Sequence, residues 1–121
     1  MKRMICVLCI LTCLLTACMG NNKPAGMSDK CFEYGCKVIE AVDAYLDGDI
    51  KAVAAAGQVQ DYCQRLSELP VDQAAGVQTV ANQCEQISYM LVRAANGDKY
   101  AAQELETARN TLARTLGQGE Y

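Results

Sequence analysis

Apolar residues recur every three to four positions through most of this chain, the period of helices with one buried face. Between 29 and 47 the stripe is Phe32, Cys36, Ile39, Val42 and Leu46. A second stripe, Cys31, Tyr34, Val38, Ala41 and Tyr45, widens the buried face. Ser28 and Asp29 supply side chains that cap a helix start. Gly48-Asp49 interrupts the pattern, and Asp49 is the expected N-cap of a second helix over 50–69. Its apolar side is Ala52, Ala55, Val59, Tyr62, Leu66 and Leu69. Pro70 ends that helix and is suited to open a third.

The third pattern runs over 71–95 through Val77, Val80, Ala81, Cys84, Ile87, Leu91 and Ala94. Asn96-Gly97-Asp98 stops it, with Gly97 suited to the left-handed position after a helix. A fourth stripe, Ala101, Leu105, Ala108, Leu112 and Leu116, runs from Asp98 to Gly117. Four helices with short loops predict an all-α fold, a small up-down four-helix bundle made of two helical hairpins. The domain spans 29–117, with a short C-terminal tail at 118–121. Glu33/Lys37 and Asp61/Arg65 are four apart and expected to pair on outward faces. Small core residues bury little area, and Gly35, Gly57 and Gly76 are read as places where helices approach closely. Both hairpin turns use Gly-Asp, which two independent turns choosing good turn residues explain more simply than a duplication of about 49 residues.

Composition changes the picture at the N-terminus. Of 121 residues eight are Cys and none is His or Trp. Lys2 and Arg3 precede an uncharged apolar run, residues 4–17, that is shorter than the ~20 residues a membrane span needs. A positive start, a short apolar core and a small residue before a break form the pattern of a secretory signal. Its end, Leu15-Thr16-Ala17-Cys18, resembles the lipobox of bacterial lipoproteins. That resemblance implies cleavage before Cys18 and a thioether diacylglycerol, with an N-acyl chain, on its sulfur. It also implies a place in the bacterial cell envelope. Met19, where an Asp would favour the inner membrane, points to the outer membrane facing the periplasm. Two or three acyl chains, at roughly 0.8 kcal/mol per buried CH2, anchor firmly.

Removing residues 1–17 from 121 leaves 104, and losing Lys2 and Arg3 takes the formal charge from −3 to −5. The mature domain is therefore acidic, which excludes the basic patch that a nucleic-acid surface needs. Residues 18–28, with Gly20, Asn21, Asn22, Pro24 and Gly26, read as a lipidated tether reaching at most about 35 Å.

The cysteines fall into groups. Cys6, Cys9 and Cys13 lie in the signal, and Cys18 is the lipidation site. Cys31, Cys36, Cys63 and Cys84 remain, an even number in an oxidising compartment, which predicts disulfides stapling the bundle. Of three pairings, a Cys31–Cys36 bridge requires the first helix to end early at Gly35. Height along the bundle favours Cys31–Cys63 with Cys36–Cys84 over Cys36–Cys63 with Cys31–Cys84. Among these four, neither the C-x2-C spacing of zinc sites nor that of redox sites occurs.

Chemistry is otherwise sparse. Without His there is no common general base, and no nucleophile motif or phosphate loop is present. Glu104 and Glu106 are expected on the outward side of the last helix. The absence of His and of C-x-x-C-H argues against haem. No catalytic residue, metal ligand or cofactor is assigned. The expected function is non-enzymatic: a lipid-anchored envelope protein whose helical domain binds another protein, as an adaptor, assembly factor or inhibitor would. Tyr45, Tyr62 and Tyr89 suit binding hot spots. Gln83 and Gln86 belong to an uncharged polar face that sheds water at little cost. The alternative is a carrier of a small apolar ligand, in a cavity lined by Ala55, Ala81 and Ala108.

Overall fold

A computed structural model describes residues 23–121; the signal, the lipobox with Cys18 and the first part of the tether lie outside the described residues. Four helices follow in order: α1 (Asp29–Leu46), α2 (Ala52–Ser67), α3 (Val77–Ala95) and α4 (Ala101–Thr115). No strand occurs among the described residues. Each helix packs on the next, and α1 closes on α4, so the chain forms a small four-helix bundle. The diagonal contact is between α1 and α3. Among the described residues no helix is long and apolar enough to cross a membrane.

The stripes read from the sequence are the core. Helix α1 buries most of its two stripes, with Cys31, Val38 and Val42 fully enclosed and Tyr34, Tyr45 and Leu46 half-buried. Helix α2 contributes Ala55, Ala56, Val59 and Leu66; α3 contributes Val80, Cys84, Ile87 and Leu91; α4 contributes Leu105, Leu112 and Ala113. A Ser28 cap accepts from the Cys31 backbone N–H at 3.1 Å and fixes the start of α1.

Three helix ends use one device. The Gly48 N–H donates to Tyr45 O and the Asp49 N–H to Ala44 O. Gly97 donates to Ala94 O and Asp98 to Arg93 O, and Gly117 donates to Arg114 O and Gln118 to Ala113 O. This is the Schellman closure, with glycine at positive φ in each case. Its recurrence after α4, where no Gly-Asp hairpin follows, explains the two Gly-Asp turns by cap chemistry alone. Asp98 then shapes the turn before α4: its carboxylate accepts from the Tyr100 N–H at 2.9 Å. That bond and the Arg93 guanidinium hold its pKa below the ordinary carboxylate value.

Several boundaries differ from expectation. Because the closure folds residues 47–50 back onto α1, α2 begins at Ala52 and its N-cap is Lys51, not Asp49. After Pro70 the chain makes only a 3-10 turn, Val71–Gln73. Gly76 takes φ +84° and α3 begins at Val77, six residues later than the pattern suggested. Gly76 is thus a helix-start glycine, not one inside a helix. Residues 23–28, assigned to the tether, fold onto this end of the bundle: Met27 is buried beside Gly76 and the Ser28 N–H donates to Ala75 O.

The glycines also separate. A Cβ on Gly35 would lie 2.8 Å from Leu116 Cδ1, so this position does permit a close approach of α1 to the end of α4. Gly57 faces nothing within 4 Å. Gly57→Ala is therefore expected to stabilise the domain by about 1 kcal/mol, through helix propensity and a less mobile unfolded chain. A urea midpoint that falls instead would show that Gly57 has a packing role. Asp61 pairs with Arg65 at 2.9 Å as expected. Glu33 and Lys37 do not pair with each other; Lys30 takes Glu33 at 3.1 Å and Lys37 takes Glu40 at 3.2 Å, each three residues apart.

Candidate functional site

Along the seam between α3 and α4 lies an open groove of about 320 Å³. Gln83, Gln86 and Met90 line it from α3, and Glu104, Thr107, Ala108 and Thr111 from α4. The helical period explains the composition. Positions 83, 86 and 90 sit beside the buried stripe of Cys84, Ile87 and Leu91, and 104, 107 and 111 sit beside that of Leu105 and Leu112. Both flanks carry polar residues, but their carbon stems together with Met90 and Ala108 make most of the seam's exposed surface apolar. Its volume is at the small end of ligand sites.

The groove is rich in hydrogen-bond acceptors. The Gln83 Oε1 atom is buried and has no hydrogen-bond partner. A polar atom left so costs about 1–3 kcal/mol, a debt that an incoming donor would cancel. The Thr107 hydroxyl donates to Gln103 O at 3.3 Å and the Thr111 hydroxyl to Thr107 O at 3.0 Å. Both hydroxyl hydrogens are thus held by the helix, and only oxygen lone pairs face outward. Glu104 accepts from Arg93 at 2.6 Å, and Arg93 also pairs with Asp98, so the carboxylate at the groove's end is held in place.

The residues singled out in the sequence are dispersed, apart from two. Gln83 and Gln86 meet in the groove. Tyr89 is exposed on α3 under the Arg93 guanidinium, whose carbon lies 5.9 Å from the ring centroid. Tyr62 is half-buried between α1 and α2, 5.9 Å from the Tyr34 ring and covered by Arg65. Tyr45 packs against the core. Ala108 lines the groove, Ala55 is enclosed in the core and Ala81 packs at its margin, so the three do not share one cavity. Glu106 is exposed, away from the groove. Among the described residues no group of three His, Cys, Asp or Glu side chains is placed to hold a metal.

No disulfide joins Cys31, Cys36, Cys63 or Cys84. Neither expected pair, Cys31–Cys63 or Cys36–Cys84, is joined, and the height of Cys84 along the bundle differs from the one that ranked them. The physical reason is the late start of α3. With a start at 71, Cys84 would stand some 20 Å up its helix at about 1.5 Å per residue; with Val77 first it stands about 10 Å up. Cys63, four residues from the end of α2, is then at nearly the same height.

A second cluster escaped the sequence reading. Arg109 is buried, and its guanidinium makes two bonds to Asp43 of α1, at 2.8 and 2.9 Å. It also donates to Gly119 O at 2.5 Å and to Asn110 Oδ1 at 3.1 Å. Tyr121 lies under the guanidinium, donates its backbone N–H to Asn110 and its hydroxyl to Asp47. Burial, then the Asp47 carboxylate, push the Tyr121 hydroxyl pKa up. These contacts make the cluster a clamp holding the C-terminal residues on α1 and α4. The alternation of Leu105, Arg109 and Leu112 was the available signal: a cation on a buried stripe requires a buried anion.

No family model matches the chain, and no curated protein and no solved structure matches it.

Proposed function

We propose that this chain is a non-enzymatic, lipid-anchored protein of the bacterial envelope whose bundle binds another protein in the α3–α4 groove. The anchor rests on the lipobox resemblance of Leu15-Thr16-Ala17-Cys18, and Met19 favours the outer membrane. The observation that carries the binding reading is the buried, unpartnered Gln83 Oε1 at an open groove whose other oxygens are acceptors as well. Such a lining favours a polypeptide segment that brings hydrogen-bond donors to Gln83, Thr107 and Thr111 and lays an apolar side chain over Met90 and Ala108. A purely apolar ligand would leave Gln83 unsatisfied, which disfavours the carrier reading.

Photo-crosslinking in intact envelopes tests it. A photoreactive residue at Gln86 is expected to give one protein adduct, and the same residue at Gln60, exposed on α2, none. Gln83→Met, which removes the buried acceptor, is expected to abolish the adduct. Adducts that form equally from both positions, or that survive Gln83→Met, would refute groove binding. Cys18→Ala is expected to move the chain from the membrane to the soluble fraction; retention would refute the anchor.

A further inference from the structure

We propose that the domain stands on the lipid surface with one end of its bundle, the end where residues 23–28 meet the 3-10 turn, and that Val71 enters the headgroup layer there. This rests on the reading that Cys18 carries the lipid anchor. Met27 is buried against Gly76, the Ser28 N–H donates to Ala75 O at 3.1 Å, and Lys23 pairs with Asp29 at 2.5 Å. The chain is therefore fixed to the bundle from Lys23 onward. From 18 to 23 it spans at most about 18 Å however it is arranged, half the reach of the tether read from the sequence alone.

That reach selects the end. The start of α3 lies beside Ser28, and α3 has 19 residues, so its other end is about 28 Å away. A membrane touching residues 96–100 would be out of reach of an anchor at Cys18. The flanks of the helices are within reach, but they expose carboxylates such as Glu33, Asp61 and Glu85. Charges lose hydration at a membrane, and carboxylates are repelled by anionic lipid.

The selected end has the opposite character. In residues 24–28 and 69–76 Asp72 is the only ionisable side chain. Ala25, Gly26, Pro70, Val71 and Ala75 are exposed on it. Val71 is 94% exposed, more than any other large apolar residue among the described residues, in a 3-10 turn that packs on α1. One valine buries too little area to hold a domain on a bilayer by itself. The short tether keeps this end at high effective concentration beside the lipid, so a weak contact suffices to set the orientation.

The orientation places the α3–α4 groove. Gln83 and Met90 follow the α3 start at Val77 by about 9 and 20 Å along the helix. The groove then opens sideways, over the membrane at that height, toward the part of a membrane-bound partner that stands just clear of the lipid.

Tryptophan fluorescence reads the contact. The chain contains no Trp, so Val71→Trp supplies a sole emitter when excitation avoids Tyr. Tyr100→Trp, at a 72% exposed position past the other end of α3, is the control and brings the same interfacial preference of Trp. Each full-length lipidated variant, purified from membranes, is reconstituted into vesicles of phosphatidylethanolamine and phosphatidylglycerol, with or without bromine on the upper acyl carbons. Flotation with the vesicles reports the anchor separately. The expected result is that both variants float, that Val71→Trp shifts to the blue and loses most of its emission to brominated lipid, and that Tyr100→Trp does neither. Floating chain with equal quenching at both positions, or none at Val71→Trp, would overturn the seating and leave the anchor standing. A blue shift at Val71→Trp without quenching would mean that protein, such as a second copy, covers this end, and would overturn it as well. Chain that does not float would overturn the anchor and the seating together.

Discussion

Asp43→Ala is expected to lower the stability of the domain by about 3–5 kcal/mol. The Asp43 carboxylate takes two bonds from Arg109, whose side chain is only 8% exposed. Removing it leaves a guanidinium enclosed with only the neutral Gly119 carbonyl and Asn110 side chain as acceptors. Protein domains are commonly stable by about 5–15 kcal/mol, so one such substitution removes a large share. The cost comes from the stranded charge more than from the lost attraction. Replacing both partners by apolar residues, Asp43→Leu with Arg109→Met, is therefore expected to cost less than Asp43→Ala alone. Urea unfolding followed by circular dichroism measures both. A loss below about 1 kcal/mol for Asp43→Ala would mean the pair behaves as a surface ion pair.

Ile87→Ala is expected to cost about 2–5 kcal/mol. Ile87 is fully enclosed near the middle of α3, which packs against each of the other helices. Val53→Ala is the contrast: Val53 is 67% exposed, and the change is expected to stay within about 0.5 kcal/mol of zero. Similar losses at the two positions would contradict the burial of Ile87 in the core.

Local signals carried most of the fold. The stripes through Val38, Val59, Ile87 and Leu112 announce helices because burial imposes a period that single residues cannot disguise. Gly48 and Gly97 mark turns because only glycine accepts their backbone conformation cheaply. The features missed depend on distant residues. Nothing near Arg109 reveals that Asp43, 66 positions earlier, neutralises it. The height of Cys84 depended on the short 3-10 turn after Pro70, which the Pro-initiated helix pattern hid. Met27 has no periodic neighbours, so its burial against Gly76 left no trace. The candidate groove was half legible: Gln83 and Gln86 stood out as an uncharged polar face, whereas Thr107 and Thr111 acquire meaning only when α4 lies beside α3.

The clamp also sets the order in which the domain can be completed. Arg109 reaches back 66 residues to Asp43, and Tyr121 reaches 74 residues to Asp47. The contacts of α1 with α2 and of α2 with α3 are close in sequence and form early as the chain is delivered N-terminus first. The flank of α1 that carries Asp43 and Asp47 stays uncovered until α4 and the residues after it arrive. During synthesis that delay leaves the first helix available to a chaperone until residues 109–121 have been delivered.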